Sequence, residues 1–527
     1  MTIFNDDELT APSNSGSTTT RPTAVEVSEA GKVKLAVYKN DEAPLEENTQ
    51  QALLELTGAD STVNRPGLDL VAVLDVSGSM KEHGKLEKMK TALLFVVKKL
   101  SDVDRLSIVT FSDGPDKVCP LRFVTESSMD GFKVLVDGLS AHGWTNIRGG
   151  LEMGIQVVAG RRLSAGRVAA MMLMSDGVQN RGGDAREVNL GSLPVYTFGF
   201  GADHDPTVLN AIATKSVGGV FNFVKDQVSL SKNFSQPLAG LLTVVVQELQ
   251  LTVTPIPGNS TIVKVDPGSY PQIQNIAAGS FTITFGNLYG REVRKVLVDL
   301  VLPAVKEDGI DCDILEAKYT YISSQGKPFD SPSEIYSIQR TGDADPDAQN
   351  PEVQSEVARR QHAGYIKEAR TMADANDLRN AMYKLAEAQN KLEDIVLDKA
   401  KPMVDMLRTE LQQLRRLMES PELYKKEGRP YALSAETSHD RQRMASRGDV
   451  EDVRLFATPR MDKYLAQAKL FDEDPAAPIP SADEDAKEEL AANPLAPLAG
   501  PLAFYIKAAI QALQSLEKII SVAATPR

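Results

Sequence analysis

The stretch LDLVAVLDVSGSM, residues 68–80, decides the fold of this chain. Its first part is mostly apolar, which is typical of a strand buried on both faces of a parallel sheet. Its last part carries three hard oxygen donors, Asp75, Ser77 and Ser79, and Gly78 eases the backbone between the two hydroxyls. Open α/β sheets bind their ligands at the carboxyl ends of strands, so these oxygens predict a site for a small hard cation such as Mg²⁺.

Around this stretch, predicted strands alternate with predicted helices over residues 66–246. Apolar residues at helical spacing follow the first strand over 85–100, and further strand-like segments lie at 105–111, 168–175 and 194–200. Helices are also predicted over 128–139, with Ser128 as the candidate N-cap, and over 226–246. Strands that are joined by helices form mostly parallel sheets with helices on both faces. We therefore predict a doubly wound α/β domain with a mostly parallel sheet.

The remainder of the chain predicts a second and a third kind of fold. Residues 247–345 alternate apolar and polar side chains between Gly/Pro/Asn-rich turns, which predicts an antiparallel β-sandwich. Strands within 29–65 lack another core, so we expect them to join the sandwich, although residues 50–57 fit either a strand or a helical turn. The α/β domain is then inserted in the sandwich or followed by it. Residues 346–527 predict a helical domain with a short helix near 438–446 and an acidic and Pro-rich loop over 472–500. Residues 1–28 have the composition of a disordered segment.

The last predicted helix carries an apolar stripe. Its members are Leu502, Ile506, Ala509, Leu513, Leu516 and Ile520. Stripes of this kind usually face a core, so we expect the helix to pack onto its own chain.

The composition excludes several classes of protein. A net charge of −14 over 527 residues is not that of a nucleic-acid-binding surface, so no nucleic-acid partner is expected. Two cysteines, Cys119 and Cys312, favour a reducing compartment, hence a cytoplasmic location with the nucleus as the alternative. Two Cys and five His cannot supply a cysteine-rich zinc module such as a RING. No secretory signal and no transmembrane segment is expected.

Two further oxygen donors follow other elements of the α/β region. Thr145 lies in a turn before a predicted helix, and Asp176 comes directly after a predicted strand. In a doubly wound sheet these positions meet Asp75, Ser77 and Ser79 at one edge. Three hydroxyls and two carboxylates suit Mg²⁺, with Mn²⁺ or Ca²⁺ as alternatives, and an ion held in this way attracts a carboxylate from outside.

The same residues carry a resemblance to a known family. Asp-x-Ser-x-Ser at 75–79, then Thr145, then Asp176 in Met-Ser-Asp-Gly, resembles the metal-ion-dependent adhesion site of von Willebrand factor A (VWA) domains. The resemblance implies a Rossmann-like VWA fold over about 66–246 and direct ligation by Ser77, Ser79 and Thr145. It implies that Asp75 and Asp176 act mainly through water and hydrogen bonds, and that an Asp or Glu of a protein partner completes the shell.

A narrower resemblance covers much of the chain from about 66 to 471. The segments that carry it are GWTNIRGGL (143–151), GADHDPTVLNAIA (201–213), LLTVVVQELQLTV (241–253), EVARRQ (356–361), GRPYALSAETSHDRQR (428–443) and TPRMDKYLAQAK (458–469). They resemble plant VWA proteins with a C-terminal Vwaint helical domain, many of which are RING-type ubiquitin ligases of the wavy-growth kind. The sequence departs from those ligases because it has no RING.

Three functional hypotheses follow. The first is a non-enzymatic, Mg²⁺-dependent protein-binding protein that captures a partner carboxylate. The second is a RING-less component of a ubiquitin ligase system, which recognises substrate or pairs with a RING-bearing paralogue. The third is a partner of an ATPase, as in the metal-chelatase VWA proteins, although no ATPase motif is present in the sequence.

Other polar side chains near the predicted site receive weaker interpretations. Asp113 is expected to be a solvated loop carboxylate rather than part of the metal site. Trp144, the single tryptophan, is either a contact residue of the ligand face or a packing residue. His83 and His142 are expected to be exposed loop residues, because Mg²⁺ prefers oxygen.

Overall fold

The computed structural model describes Asp7 and residues 29–60, 65–225, 229–395 and 400–524. Its strands are β1 (Val33–Tyr38), β2 (Glu42–Ala43), β3 (Asn48–Gly58), β4 (Leu68–Asp75), β5 (Arg105–Phe111), β6 (Pro115–Phe123), β7 (Val168–Ser175), β8 (Val195–Phe200), β9 (Phe221–Val224), β10 (Val244–Pro255), β11 (Thr261–Asp266), β12 (Gln272–Asn275), β13 (Ser280–Tyr289), β14 (Val293–Leu302), β15 (Ile310–Ser323), β16 (Pro328–Asp330) and β17 (Glu334–Arg340). Its α-helices are α1 (Lys85–Lys99), α2 (Glu126–Asp137), α3 (Ile147–Ala159), α4 (Pro206–Lys215), α5 (Leu230–Leu241), α6 (Pro351–Asp374), α7 (Leu378–Glu393), α8 (Lys401–Leu417), α9 (Pro421–Leu423), α10 (Arg429–Arg441), α11 (Pro459–Glu473), α12 (Ala482–Ala492) and α13 (Ala496–Ala524). The predicted disordered segment 1–28 lies outside the described residues, apart from Asp7.

A six-stranded sheet in the order β6-β5-β4-β7-β8-β9 forms the centre of the α/β domain. All its strands run parallel except β6, which pairs antiparallel with β5. The side chains of β4 alternate between two cores: Leu70 and Leu74 face α1, α2 and α5, whereas Val71 and Val73 face α3 and α4. The predicted doubly wound α/β fold is therefore confirmed.

The position of β4 in this sheet determines where a site forms. Both neighbours of β4, β5 and β7, are parallel to it, and the chain passes from β4 through α1 to β5 before it returns to β7. The strand order therefore changes direction at β4. Such a switch point opens a crevice at the carboxyl ends of the two strands, next to Asp75 and Ser175.

The sandwich consists of one sheet in the order β1-β3-β14-β11 and a second in the order β12-β13-β10-β15-β17-β2, with β16 paired to β15. The segment that the sequence left undecided, 50–57, belongs to β3, which pairs with β14 from Asn48↔Leu302 to Thr57↔Val293. Because β1 and β3 precede the α/β domain and β10 follows it, the α/β domain is inserted in the sandwich.

The helical region covers the α/β domain on both faces. On one face α10 contacts α4 and β9, and its Tyr431 and Leu433 share a core with α3, α4 and α6–α8. On the other face α11 packs against α5 and α1, where the rings of Phe95 and Phe471 lie 5.6 Å apart. The predicted C-terminal helical domain is therefore docked on the α/β domain.

Two predicted helix boundaries in the α/β domain are wrong. Helix α2 begins at Glu126 rather than Ser128, because Thr125 is the N-cap and Ser128 is the reciprocal partner of a capping box. The helix predicted over 226–246 ends at Leu241 in the structure. The β-branched run that begins at Val244 pairs instead with β13 and β15, which suits its β propensity.

Two predictions for the helical region also need correction. The short helix expected near 438–446 is α10, which ends at Arg441 and begins well before the expected position. The expected loop 472–500 contains α12. A capping box between Ser481 and Glu484 starts α12, and the buried Asp485 fixes it through a 2.5 Å contact with Lys99.

Helix α13 does not bury its apolar stripe, contrary to the expectation from the sequence. Leu502, Ile506, Leu513, Leu516 and Ile520 are all exposed. Among the described residues, the stretch Ala496–Leu513 is the one helix segment with the length and composition of a membrane span, with a mean hydropathy of 1.2. A single helix of this kind is weak evidence for a span, so the predicted absence of a transmembrane segment stays a prediction.

Candidate functional site

The carboxylate of Asp75 is fixed at the end of β4 by two hydrogen bonds. Its Oδ1 accepts from the Ser77 backbone N–H at 2.8 Å, and its Oδ2 accepts from the Ser175 hydroxyl at 2.6 Å. Asp75 and Ser175 are fully buried. Because Ser175 ends β7, this bond joins the two strands that border the crevice.

A chain of short contacts connects the other predicted residues of this edge. The hydroxyls of Ser77 and Ser79 lie 3.1 Å apart, and Ser79 donates to Asp176 Oδ1 at 2.7 Å. Ser77 and Asp176 are buried, while Ser79 is partly exposed. Ser79 therefore lies between the interior carboxylates and the solvent.

Thr145 lies at the same edge of the sheet, in the loop before α3. The Gly78 N–H donates to the Gly143 carbonyl at 3.0 Å, which ties the two loops together, and the Thr145 N–H donates to Asn180 Oδ1 at 2.8 Å. A Cβ placed on Gly177 would lie 3.5 Å from Thr145 Oγ1 and 3.6 Å from Ser79 Oγ. The two hydroxyls thus border the same small space beside Gly177.

The electrostatics of the site favour a cation. Burial, together with the neighbouring Asp176 carboxylate, raises the pKa of Asp75 to about 6. The buried ammonium of Lys85 lies 2.9 Å from Asp176 Oδ2, so it offsets one of the two carboxylates. The ionised site then keeps one net negative charge, which attracts a divalent ion at the hydroxyls and leaves that ion with one uncompensated positive charge.

The donor set agrees with a hard cation. The space beside Gly177 is bordered by the hydroxyl oxygens of Thr145 and Ser79. Asp176 accepts from the Ser79 hydroxyl, and Asp75 accepts from the backbone N–H of Ser77. Oxygen ligands of this type suit Mg²⁺, which retains several waters and does not require an all-protein shell. All five residues predicted for the site are brought together at this edge; they are Asp75, Ser77, Ser79, Thr145 and Asp176.

The rim of the site is formed by exposed groups. Trp144 is 60% exposed directly beside Thr145. Asp113 lies at the surface, where it accepts from Arg181 at 2.7 Å and from the Trp144 N–H at 3.3 Å. His83 and His142 are exposed at the same end of the sheet. The rim therefore combines one large aromatic ring with a surface ion pair.

Three supporting residues could not be read from the sequence alone. Ser175 and Lys85 hold the two carboxylates, and Asn180 holds the Thr145 backbone. For Ser175, the one sequence feature that pointed to the site is its position directly before Asp176 at the end of a strand. For Lys85, the sequence contained no such feature, because a lysine at the start of an amphipathic helix is ordinarily solvated.

A second polar cluster is buried in the helical region. Glu410 Oε2 lies 2.8 Å from the Nε2 atoms of both His362 and His439, a grouping with the spacing of metal ligands. Arg359 lies 3.2 Å from His439 Nδ1, which must therefore be an acceptor, so Nε2 of His439 carries the proton and donates to Glu410. This arrangement describes a hydrogen-bonded cluster, because a metal would need the Nε2 lone pair.

Burial lowers the pKa of His439 to about 4, which keeps its imidazole neutral. Although burial opposes the ionisation of Glu410, Arg447 and the two histidines hold its pKa well below the ordinary value. The cluster is therefore a buried carboxylate that is stabilised by Arg447 and by the imidazoles of His362 and His439.

The fold and the family comparisons define the class of protein. Residues 69–236 match the von Willebrand factor type A domain, and residues 401–470 match the family described as VWA / Hh protein intein-like, or Vwaint. The chain therefore contains a VWA domain and a Vwaint domain. VWA domains are themselves non-catalytic and generally mediate metal-dependent protein interactions.

Individual relatives are distant. The E3 ubiquitin-protein ligase WAV3 of Arabidopsis thaliana is 30% identical over 268 residues, which is 46% of this chain and 32% of WAV3. Inter-alpha-trypsin inhibitor heavy chain H3 of Mesocricetus auratus is 24% identical over 44% of this chain and 27% of its own length. The chain thus spans about a third or less of the length of these curated relatives.

Among solved structures, a von Willebrand factor type A protein from Catenulispora acidiphila has a similar fold. It superposes with a TM-score of 0.60 at 19% identity, covering 73% of this chain and 90% of that one. This likeness concerns the fold and carries no information on ligands.

Proposed function

We propose that this chain is a non-enzymatic, divalent-metal-dependent protein-binding protein, in which the edge of the VWA sheet captures an acidic side chain of a partner. The observation that supports this most is the convergence of the Ser79 and Thr145 hydroxyls at Gly177, in front of Asp75 and Asp176. Mg²⁺ is the proposed ion, with Mn²⁺ or Ca²⁺ as alternatives.

The five residues of the proposed metal site have two different roles. Ser77, Ser79 and Thr145 offer hydroxyl oxygens to the ion, and the buried Asp75 and Asp176 supply negative charge behind them. The bound ion contributes the positive charge that attracts a carboxylate. The exposed Trp144 lies where a partner would approach and offers it an aromatic contact.

The single tryptophan provides a direct measurement. Because Trp144 adjoins Thr145, Mg²⁺ binding should change the intrinsic fluorescence of the full chain in a saturable manner. Thr145→Ala and Ser79→Ala should weaken that response at least about tenfold, and Asp116→Asn, an exposed carboxylate on β6, should not. An unaltered titration curve in both hydroxyl variants would contradict the proposed metal site.

Partner capture is tested separately from metal binding. Proteins that the immobilised chain retains in Mg²⁺ should be released by EDTA and should not be retained by Thr145→Ala. Retention that is indifferent to both would contradict the proposed mode of capture, even if the fluorescence titration demonstrated a metal site.

A second candidate function is a role in ubiquitin transfer, as a substrate-recognising component or as the partner of a RING-bearing paralogue. Its support is the similarity to WAV3 over 46% of this chain. Association with a RING-bearing paralogue in co-immunoprecipitation is expected under this proposal. In a reconstituted ubiquitination assay the chain alone should be inactive, since its two cysteines cannot build a RING.

We further propose a cytoplasmic location, with the nucleus as the alternative, and no nucleic-acid partner. Two buried cysteines that form no disulfide and a net charge of −14 support these proposals. A fluorescent fusion of the full chain tests the location, and electrophoretic mobility of labelled DNA and RNA tests nucleic-acid binding.

A further inference from the structure

Helix α13 presents a broad apolar face to solvent. Eight large side chains of this face are each between 40% and 66% exposed: Leu498, Leu502, Tyr505, Ile506, Ile510, Leu513, Leu516 and Ile520. We refer to these eight residues as the α13 stripe. Exposed leucine and isoleucine are ordinary when scattered singly, whereas a contiguous row of this length marks a binding surface.

The opposite side of α13 is the side that contacts the rest of the chain. The ring of Phe504 lies 5.9 Å from that of Phe329, and the Lys507 ammonium donates to Glu334 at 2.7 Å and to the Leu35 carbonyl at 3.2 Å. Since residues three and four apart share a helix face, Phe504 and Lys507 point away from the stripe. These contacts attach α13 to the rest of the chain through the side opposite the stripe, and the stripe faces the solvent.

The area of the stripe is that of a specific interface. Each of its side chains leaves roughly 100 Å² of surface in water. The total is on the order of 800 Å², which is what one partner contributes to a standard protein interface. It also exceeds the largest apolar patch of a typical monomer, about 300–600 Å².

The order of residues in the stripe indicates what covers it. Leu502, Ile506, Ala509, Leu513 and Leu516 follow one another at alternating intervals of four and three, the spacing of a seam between two helices. The pattern is also symmetric about Ala509. Leu498 and Ile520, Leu502 and Leu516, and Ile506 and Leu513 lie at nearly equal distances on either side of it.

This symmetry is that of an antiparallel pair of identical helices. A two-fold axis at Ala509 places the residues of these three pairs opposite one another in the two copies, and the small side chain at the crossing permits close approach. Between Leu498 and Leu516 the one charged residue is Lys507, which pairs with Glu334 on the opposite side, so this part of the stripe lacks the charges by which helices select a different partner. A membrane surface also takes a one-sided apolar stripe, but it does not require a pattern that is symmetric about one residue.

We propose that the α13 stripe is a homodimer interface, in which α13 of a second copy of this chain packs antiparallel across Ala509. The proposal does not depend on the metal site, which lies in the VWA domain.

Cysteine crosslinking of the full chain tests the arrangement. Ala509→Cys should form a covalent dimer on mild oxidation, because the two-fold axis brings the two thiols together. Ala503→Cys is the matched control, since Ala503 is also exposed but lies roughly 120° round the helix. The native Cys119 and Cys312 are buried and should not react. Equal crosslinking of the two variants would overturn the antiparallel pairing.

The oligomeric state gives a second readout. Light scattering should give twice the chain mass for the unaltered protein and the chain mass for Leu502→Lys combined with Leu513→Lys. These substitutions replace exposed side chains, so the variant should unfold at the same temperature when extrapolated to low concentration. A monomeric unaltered protein would overturn the proposal, as would a monomer that co-sediments with phosphatidylcholine vesicles and loses that binding in the lysine variant.

Discussion

The Lys85 ammonium lies 2.9 Å from Asp176 Oδ2 beneath the candidate metal site. Ser79 donates to the other carboxylate oxygen of Asp176, so both oxygens are engaged without an ion. Lys85 therefore acts as an internal counter-charge, which keeps the site folded when the metal is absent and opposes the metal when it binds.

Replacing Lys85 by methionine should separate these two effects. Breaking a buried ion pair by removing one partner costs about 3–5 kcal/mol, so Lys85→Met should unfold more readily in EDTA. The same change removes a repelling charge near the ion, so Mg²⁺ should bind at least about tenfold more tightly. Denaturant unfolding with and without Mg²⁺ measures both quantities.

Lys81→Met is the control for that experiment, because Lys81 is an exposed lysine at the same end of β4. It should alter stability by less than about 0.5 kcal/mol. If the two variants behave alike, Lys85 has no role as a counter-charge.

A methyl group on Gly177 should block the metal without disturbing the fold. The added Cβ meets the Thr145 and Ser79 hydroxyl oxygens at 3.5 and 3.6 Å, which is ordinary contact, so Gly177→Ala should fold normally. The methyl then occupies the space between the hydroxyls, and Mg²⁺ affinity should fall more than about tenfold. The fluorescence of Trp144 reports the affinity.

Gly114→Ala provides a comparison, since a Cβ there meets nothing within 4 Å. It should bind Mg²⁺ like the unaltered chain. Normal Mg²⁺ affinity in Gly177→Ala would show that the ion does not occupy this space.

The buried histidine cluster predicts a loss of stability in mild acid. The pKa of His439 is about 4 in the folded chain because burial disfavours the imidazolium, against an ordinary 6.5. Between pH 6.5 and 4 the unfolded chain therefore binds a proton that the folded chain does not, and stability falls as the pH falls. The slope contributed by this residue approaches about 1.4 kcal/mol per pH unit.

Glu410 acts in the same direction at lower pH. Its pKa in the folded chain is well below 4.5, held there by Arg447 and the histidines against the effect of burial, so stability is lost again as the pH falls below 4.5. Unfolding by urea at several pH values should show a shallower slope above pH 4.5 for His439→Gln than for His142→Gln, an exposed histidine. Parallel slopes would exclude His439 as the source.

Helix α12 should depend on one buried ion pair. Asp485 Oδ2 lies 2.5 Å from the Lys99 ammonium, and both side chains are fully buried. Asp485→Ala leaves that ammonium unpaired, so stability should fall by about 3 kcal/mol or more, and limited proteolysis should cut near 475–492 first. Glu488→Ala, an exposed neighbour, should behave like the unaltered chain, and equal protease resistance of the two variants would contradict this account.

The residues of the site that could be predicted from the sequence are those whose positions are determined by the ends of strands. Asp75 and Asp176 directly follow apolar strands, and in an alternating α/β chain the carboxyl ends of such strands meet at one edge. Their convergence with Thr145 could therefore be predicted from order alone. The hydrogen-bond partners of the carboxylates could not be predicted in this way, because the contact between Asp176 and Lys85 depends on how α1 packs against the sheet.

The helical region was less predictable because its polar contacts join distant segments. Glu410 is 48 residues from His362 and 29 from His439, and nothing local marks the three as neighbours. For α12, by contrast, a capping signal was present at Ser481 and Glu484, but the acidic and Pro-rich composition around it favoured a loop. The prediction that the apolar stripe of α13 packs onto its own chain was wrong, because amphipathic spacing does not indicate which surface covers a helix.

The insertion of the VWA domain into the sandwich has a mechanical consequence. Strands β3 and β14 are adjacent, and the chain enters at Asn48 and leaves at Leu302 on the same end of their ladder. A pulling force applied at Asn48 and Leu302 unzips this ladder one pair at a time before tension passes along the backbone to β4. For load applied at these two residues, the sandwich therefore yields before the metal-site domain.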